Sequence, residues 1–132
     1  MISIRTLTVA AALLMLGACM HAGGPSPARL AGRYDLVAMD GSALPATSRH
    51  EPAYTVHAGW LELGPGDSAQ LGLMVLRRGA AEMQGKSVKG RFRVRGDSLF
   101  LTLPNGAMRG RVHGDSLAMR ADDGSQAVFR RP

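Results

Sequence analysis

The chain has 132 residues, 20% of them charged and 45% hydrophobic, with 16 Lys and Arg against 10 Asp and Glu for a formal net charge of +6. That length supports one hydrophobic core and not two, and a single cysteine excludes a disulfide framework within the chain. A positive balance of this size fits anionic partners such as lipid headgroups or polysaccharide, or merely a well-charged surface, so the placement of the arginines has to decide.

In chain order, the first element is a leader. One cation at Arg5 precedes the apolar run from Leu7 to Leu16, which small residues end, the pattern of a secretory signal. A run of about ten residues is too short to span a hydrocarbon core, which needs about twenty. The four residues Leu16-Gly17-Ala18-Cys19 resemble the lipobox of bacterial lipoproteins, which is cut before its cysteine once the thiol is lipidated, and the only cysteine of the chain stands at that position. The resemblance implies a signal peptide over 1–18, an acylated Cys19, and membrane attachment through that lipid. Met20 replaces the aspartate that favours inner-membrane retention in the resembled class, which points to the outer membrane. A multiply acylated terminus is a strong anchor, whereas one chain is marginal. Residues 19–30, with Gly23-Gly24-Pro25-Ser26-Pro27, read as a flexible tether. Loss of the leader removes Arg5, one of the 16 cations, and leaves +5.

From residue 31 to 132 the chain alternates apolar and polar residues in short runs broken by Gly, Asp, Asn and Pro, with no sustained three-to-four spacing. This predicts an all-β domain. Eight strands are expected, at about 31–39, 54–63, 69–77, 87–95, 98–103, 107–113, 116–121 and 125–130. The last five are joined by Gly96-Asp97, Asn105-Gly106, Gly114-Asp115 and Asp122-Asp123-Gly124, which suit tight hairpins because primed turns need the positive φ that glycine supplies freely. A nonapeptide is nearly repeated, from Arg93 to Leu101 and from Arg111 to Met119, and Gly66-Asp67-Ser68 echoes its centre. The repeat is explained as strand end, turn and strand start used twice. Arg95-Gly96-Asp97 is therefore read as a turn and not as an adhesion motif.

Those turns set register, and register decides which residues share a face. With Arg95 opposite Ser98, Pro104 opposite Ala107 and His113 opposite Ser116, one face holds Phe92, Leu101, Gly110 and Met119 beside Val94, Leu99, Val112 and Leu117. The other face holds Arg91, Arg93, Arg95, Arg109, Arg111 and Arg120. One apolar and one basic face in an antiparallel meander predict an eight-stranded up-and-down β-barrel with the apolar face inward, closed by the first and last strands so that Tyr34 and Leu36 meet Ala127 and Phe129. A two-sheet sandwich is the alternative.

Gly32-Arg33-Tyr34, the corner Asp40-Gly41-Ser42-Ala43-Leu44-Pro45, the two Gly-Asp-Ser-Leu hairpins and the ending Val128-Phe129-Arg130-Arg131 resemble small bacterial lipocalin-like (calycin-type) lipoproteins. The resemblance spans nearly all of the chain beyond the leader, and its motifs are structural. It implies a barrel that holds a small apolar ligand and, by likeness to the Gly-x-Trp aromatic that closes a lipocalin floor under a late arginine, parts for Tyr34 and Arg130.

Chemistry-bearing patterns are sparse. His21, His50, His57 and His113 lack metal-ligand spacing, and no nucleophile elbow, phosphate loop or His-Glu-x-x-His occurs. An enzyme is not expected, nor a cofactor, nor a metal, nor nucleic acid as a partner. Two functions are expected in order. The first is an envelope lipoprotein binding a small apolar or amphipathic molecule near Tyr34, Tyr54, Trp60 and Phe92, although packed core aromatics remain open for Tyr54 and Trp60. The second is a filled barrel whose outer arginines contact anionic lipid, polysaccharide or a partner protein. Large interior residues lean toward the filled barrel.

Overall fold

The computed structural model describes residues 26–132; the leader, Cys19, His21 and the start of the tether lie outside the described residues. One helical turn, α1 (Pro27–Leu30), comes first. Ser26 caps it, its hydroxyl accepting from the Arg29 N–H, and Pro27 occupies the first turn, where its missing N–H costs nothing. Leu30 is buried in the core, so the last four residues expected as tether belong instead to the folded domain.

Ten strands follow: β1 (Gly32–Met39), β2 (Ser42–Ala43), β3 (Ala46–Thr47), β4 (Tyr54–Leu63), β5 (Ser68–Arg77), β6 (Gln84–Arg95), β7 (Ser98–Leu103), β8 (Gly106–His113), β9 (Ser116–Ala121) and β10 (Gln126–Arg130). β4 through β10, leaving no long strand out, run antiparallel in sequence order, and β1 pairs with both β10 and β4. The sheet therefore closes into an eight-stranded up-and-down barrel, with β2 and β3 as two-residue additions at its upper end. Inward residues pack as one core: Tyr34, Leu61, Leu63, Leu99, Leu101, Leu117 and Phe129 are each at most 1% exposed, and each such side chain contributes about 1.5–3 kcal/mol by leaving water. β1 meets β10 as Leu36 opposite Phe129 and Met39 opposite Ala127.

Two glycines admit close contact with a neighbouring strand. A Cβ at Gly90 would strike the Thr102 carbonyl of β7, and one at Gly110 would strike the Ala118 carbonyl of β9, so only a residue without a side chain lets those strands approach.

The three Gly-Asp-Ser turns share one device. Gly66, Gly96 and Gly114 take φ of 73°, 63° and 57°, and the carbonyl of each following aspartate reaches the next strand along: Asp67 O accepts from Phe92 N, Asp97 O from Val112 N and Asp115 O from Arg131 N, at 2.8–3.0 Å. The repeated nonapeptide thus both reverses the chain and extends the ladder onto a third strand.

The β7–β8 register corrects the expected one. Leu103 faces Gly106 and Leu101 faces Met108, so the turn is Pro104-Asn105 and the pairing is slipped by two. A proline paired inside the ladder would withhold a donor, whereas its fixed φ suits the first corner of a turn; the positive φ passes to Gly106, at 151°. A slip of two preserves which face each residue occupies.

The lower end is sealed. The Tyr34 hydroxyl donates to the Leu30 carbonyl at 2.8 Å, and the guanidinium of Arg131 lies 4.8 Å from the Tyr34 ring centre while donating to the carbonyls of Arg29 and Ala31. Burial pushes the Tyr34 phenol above its ordinary value, opposed by the Arg131 charge, and keeps it a donor at neutral pH. The arginine over the floor is Arg131 and not Arg130. Successive strand residues point to opposite faces, and Arg130 is exposed, donating only to Ser116 Oγ at 3.4 Å.

At the upper end, Asp40 and Gly41 both take positive φ, 48° and 82°, and join β1 to β2 in a two-residue primed hairpin. Asp40 Oδ1 accepts from Gln126 N at 2.8 Å, and Ser48, buried, lies 3.3 Å from Ser125 Oγ. The 40–53 loop is thereby fastened to the β9–β10 turn. The Gln126 N–H holds the Asp40 carboxyl below its ordinary value, and the Ser125 N–H does the same for Asp123.

Candidate anion-binding wall

The four aromatic residues expected around a ligand are not brought together. Tyr34 and Phe92 are core residues, 1% and 4% exposed. Tyr54 is half-buried near the upper rim, with the Lys86 ammonium 4.7 Å from its ring centre. Trp60 lies on the outer surface, opposite Asp35 and Gly72, its indole laid over the bare backbone of Gly72 with the Arg33 guanidinium 5.6 Å from the ring centre. It neither lines a mouth nor fills the core. A β-bulge between Val56 and Ala58 shifts the alternation by one, turning Tyr54 inward and Trp60 outward.

The six expected arginines do share the outer face. Arg91, Arg93, Arg95, Arg109, Arg111 and Arg120 are all exposed, as they must be, because so many like charges could not be buried unpaired. The observed register orders them in rows across the strands. One row runs Arg93, Phe100, Arg109, Arg120, Gln126, and the next runs Arg95, Ser98, Arg111, Ala118, Val128. The two-residue slip is what places Arg109 level with Arg93 and Phe100.

Arg109 and Arg120 are the closest in register, directly opposite each other on β8 and β9. The Ala121 N–H bonds to Ser125 on the β10 side, so by alternation the backbone groups of Arg120 point to β8. The pair is then a hydrogen-bonded one, with Cα atoms about 5.5 Å apart. Like charges set opposite each other on a sheet destabilise it, and neither guanidinium has a carboxylate within 4.0 Å among the described residues. Asp122 uses Oδ2 to accept the Ala107 N–H at 3.0 Å. A shallow depression lies over the pair, lined by Arg109, Arg111, His113, Arg120 and Gln126. Beside it, Arg93 stacks over Phe100 at 5.1 Å.

Two arginines of the wall are partly answered by aspartates of the turns. Arg91 pairs with Asp67 at 3.8 Å and Arg111 with Asp97 at 3.7 Å. Both follow from the turn device, since each aspartate bonds through its carbonyl to the residue after its arginine. The Arg91 and Arg111 side chains are 80% and 68% exposed, so these pairs are weak and leave donors available.

Among the described residues no group of three His, Cys, Asp or Glu could hold a metal ion. Compared with known proteins, the chain matches no protein-family model, no curated protein and no solved structure.

Proposed function

We propose that the protein is a lipid-anchored envelope module in which the barrel is a packed scaffold and the arginine wall holds a phosphate- or carboxylate-bearing envelope component. The observation that carries this reading is the juxtaposition of Arg109 and Arg120 without a carboxylate partner among the described residues, flanked by Arg93 and Arg111. Guanidinium groups present planar forks of donors that match phosphate and carboxylate oxygens in pairs, and an anion bridging the two would turn a like-charge repulsion into attraction. The large buried side chains of the interior support a scaffold role. The described chain begins at the sealed floor, where α1 docks, so a lipid on Cys19 would attach at that end and leave the Arg109 and Arg120 pair toward the opposite, upper end.

The test is cosedimentation of the Cys19→Ser protein with vesicles of pure phosphatidylcholine or of phosphatidylcholine with phosphatidylglycerol. Binding is expected only to the anionic vesicles, weakening as salt shortens the screening length below about 10 Å. The variant combining Arg109→Gln and Arg120→Gln should lose most of it. Equal binding by that variant removes the wall from the account.

A second reading is favoured by the upper rim, where the inward-facing Leu73 and Met108 are only partly buried and Lys86 stands over Tyr54. This arrangement suits a small amphipathic anion, apolar end down. Native mass spectrometry of protein purified from its own envelope distinguishes the two readings by whether a small molecule accompanies the chain.

A further inference from the structure

We propose that the free edge of β6, from Gly85 to Lys89, is a docking edge for an extended acidic peptide segment of another protein, which adds to the sheet as a further strand. Apart from Arg91, which borders both, this edge is separate from the arginine wall. β6 is twelve residues long, and its two halves have different neighbours: Gln84 to Arg91 pair with β5, and Arg91 to Arg95 pair with β7. Only Arg91 has a partner on both sides. β7 ends where Leu103 turns into Pro104, and the Thr102 carbonyl lies close against the bare backbone of Gly90. The first half of β6 therefore runs on past β7 with nothing paired along its second side among the described residues.

The direction of the free backbone groups follows from one hydrogen bond. Phe92 N donates to Asp67 O, which lies on the β5 side. Alternation then turns the N–H and C=O of even-numbered β6 residues toward β5 and those of Gly85, Ser87 and Lys89 away from it. These three residues are exposed. They offer three donors and three acceptors in strand geometry, which is the requirement for recognition by strand addition.

Charge selects the occupant. Residues 77–91 contain Arg77, Arg78, Lys86, Lys89 and Arg91 against the single acid Glu82. Lys86 shares the inward side with Tyr54, whose ring centre it approaches at 4.7 Å, and Lys89 is on the outer side. An added strand would meet one cation on each of its two faces, so carboxylates on either set of alternate residues find a partner. A second copy of this chain is disfavoured at the same edge. Antiparallel pairing of two such edges would set one strip of five cations against another, and edge lysines are a common guard against that kind of self-association.

The test uses the full chain and two blocked heptapeptides, one alternating valine with glutamate and one alternating valine with lysine. Amide hydrogen exchange is read residue by residue by NMR. The glutamate peptide should slow exchange at Gly85, Ser87 and Lys89 without changing the β5-paired amides of Lys86 and Val88, and the lysine peptide should leave all five unchanged. Ser87→Pro removes a donor that points away from β5 and should weaken the glutamate peptide about fivefold or more, the worth of one hydrogen bond. Should that variant disturb β6, Lys86→Glu with Lys89→Glu keeps the backbone and should exchange the preference of the two peptides. Equal protection by both peptides, or protection by neither, overturns the proposal. So does slow exchange at the three amides in the chain alone, which would mean that a second copy or residues 1–25 already cover the edge.

Discussion

Arg131→Ala should be among the most damaging single changes outside the apolar core, and Arg130→Ala, one residue away, nearly silent. Arg131 donates to two backbone carbonyls at the floor and stacks on the buried Tyr34 ring. Charge-assisted hydrogen bonds of this kind contribute about 1.5–3 kcal/mol each, and a cation over a ring about 0.5–2 kcal/mol. Arg131 is half-buried, so the lower end of each range applies, about 3.5 kcal/mol in sum, and partial hydration of the freed carbonyls cuts this to about 2–3 kcal/mol. For a domain of this size that lowers Tm by about 10–20 °C. Arg130 is exposed with one long hydrogen bond, a loss of under about 0.5 kcal/mol. Both variants remove one positive charge, so the comparison is free of any net-charge effect. Thermal unfolding followed by circular dichroism measures it, and a double-mutant cycle with Tyr34→Leu should return a coupling of about 1 kcal/mol for the stack. If Arg130→Ala lowers Tm as much as Arg131→Ala, the floor has been assigned to the wrong arginine.

Gly110→Ala should cost about 2–4 kcal/mol in urea unfolding, because the new methyl group meets the Ala118 carbonyl on the neighbouring strand; Gly114→Asn, at a φ of 57° with open space around it, should cost less than about 1 kcal/mol. Asp40 and Asp123 have carboxyls held below the unfolded value of 3.8, so the stability they confer is complete above that value and declines as pH falls through it toward the folded one. Melting curves between pH 6 and pH 2.5 should therefore fall less steeply for Asp40→Asn, which keeps a side-chain acceptor for Gln126 and tolerates positive φ, than for the parent protein. Cys19→Ser should leave the fold intact and release the protein from the membrane fraction; sedimentation with membranes after a high-salt wash would show that something other than a lipid on Cys19 holds it.

Much of this barrel was legible in the sequence because its turns are written in residues with few conformational alternatives. Glycine followed by aspartate marks the hairpins at 96–97 and 114–115, and the alternation beside them separates Leu99, Leu117 and Phe129 from the arginines. What escaped is local geometry that alternation cannot encode. The bulge in β4 puts Tyr54 and Trp60 on opposite faces without any marker in the residues themselves. Asn105-Gly106 is a strong hairpin signal, yet Pro104 before it takes the corner and shifts the pairing. Arg130 and Arg131 are chemically identical neighbours, and only the register of β10 tells which one turns toward Tyr34. The Asp40-Gly41 hairpin was available as a signal, since that dipeptide favours positive φ at both places, but it sat inside a segment expected to be irregular. The arginine wall was visible as a set and so was the opposition of Arg109 and Arg120, which follows from His113 facing Ser116; what the sequence placed two residues away was the level of Arg93 and Phe100 relative to that pair.

The central claim, that the wall is an anion site centred on Arg109 and Arg120, is tested most directly by titrating inorganic phosphate into the protein while following the arginine side-chain Nε–Hε resonances by NMR. The account predicts that the Arg109 and Arg120 signals move together and saturate, that Arg93 and Arg111 follow with smaller shifts, and that Arg77 and Arg78 at the far turn stay nearly still. Arg120→Gln should abolish the saturating response of Arg109. Uniform, unsaturating shifts across all of these arginines, or an Arg109 response that survives Arg120→Gln, would contradict it.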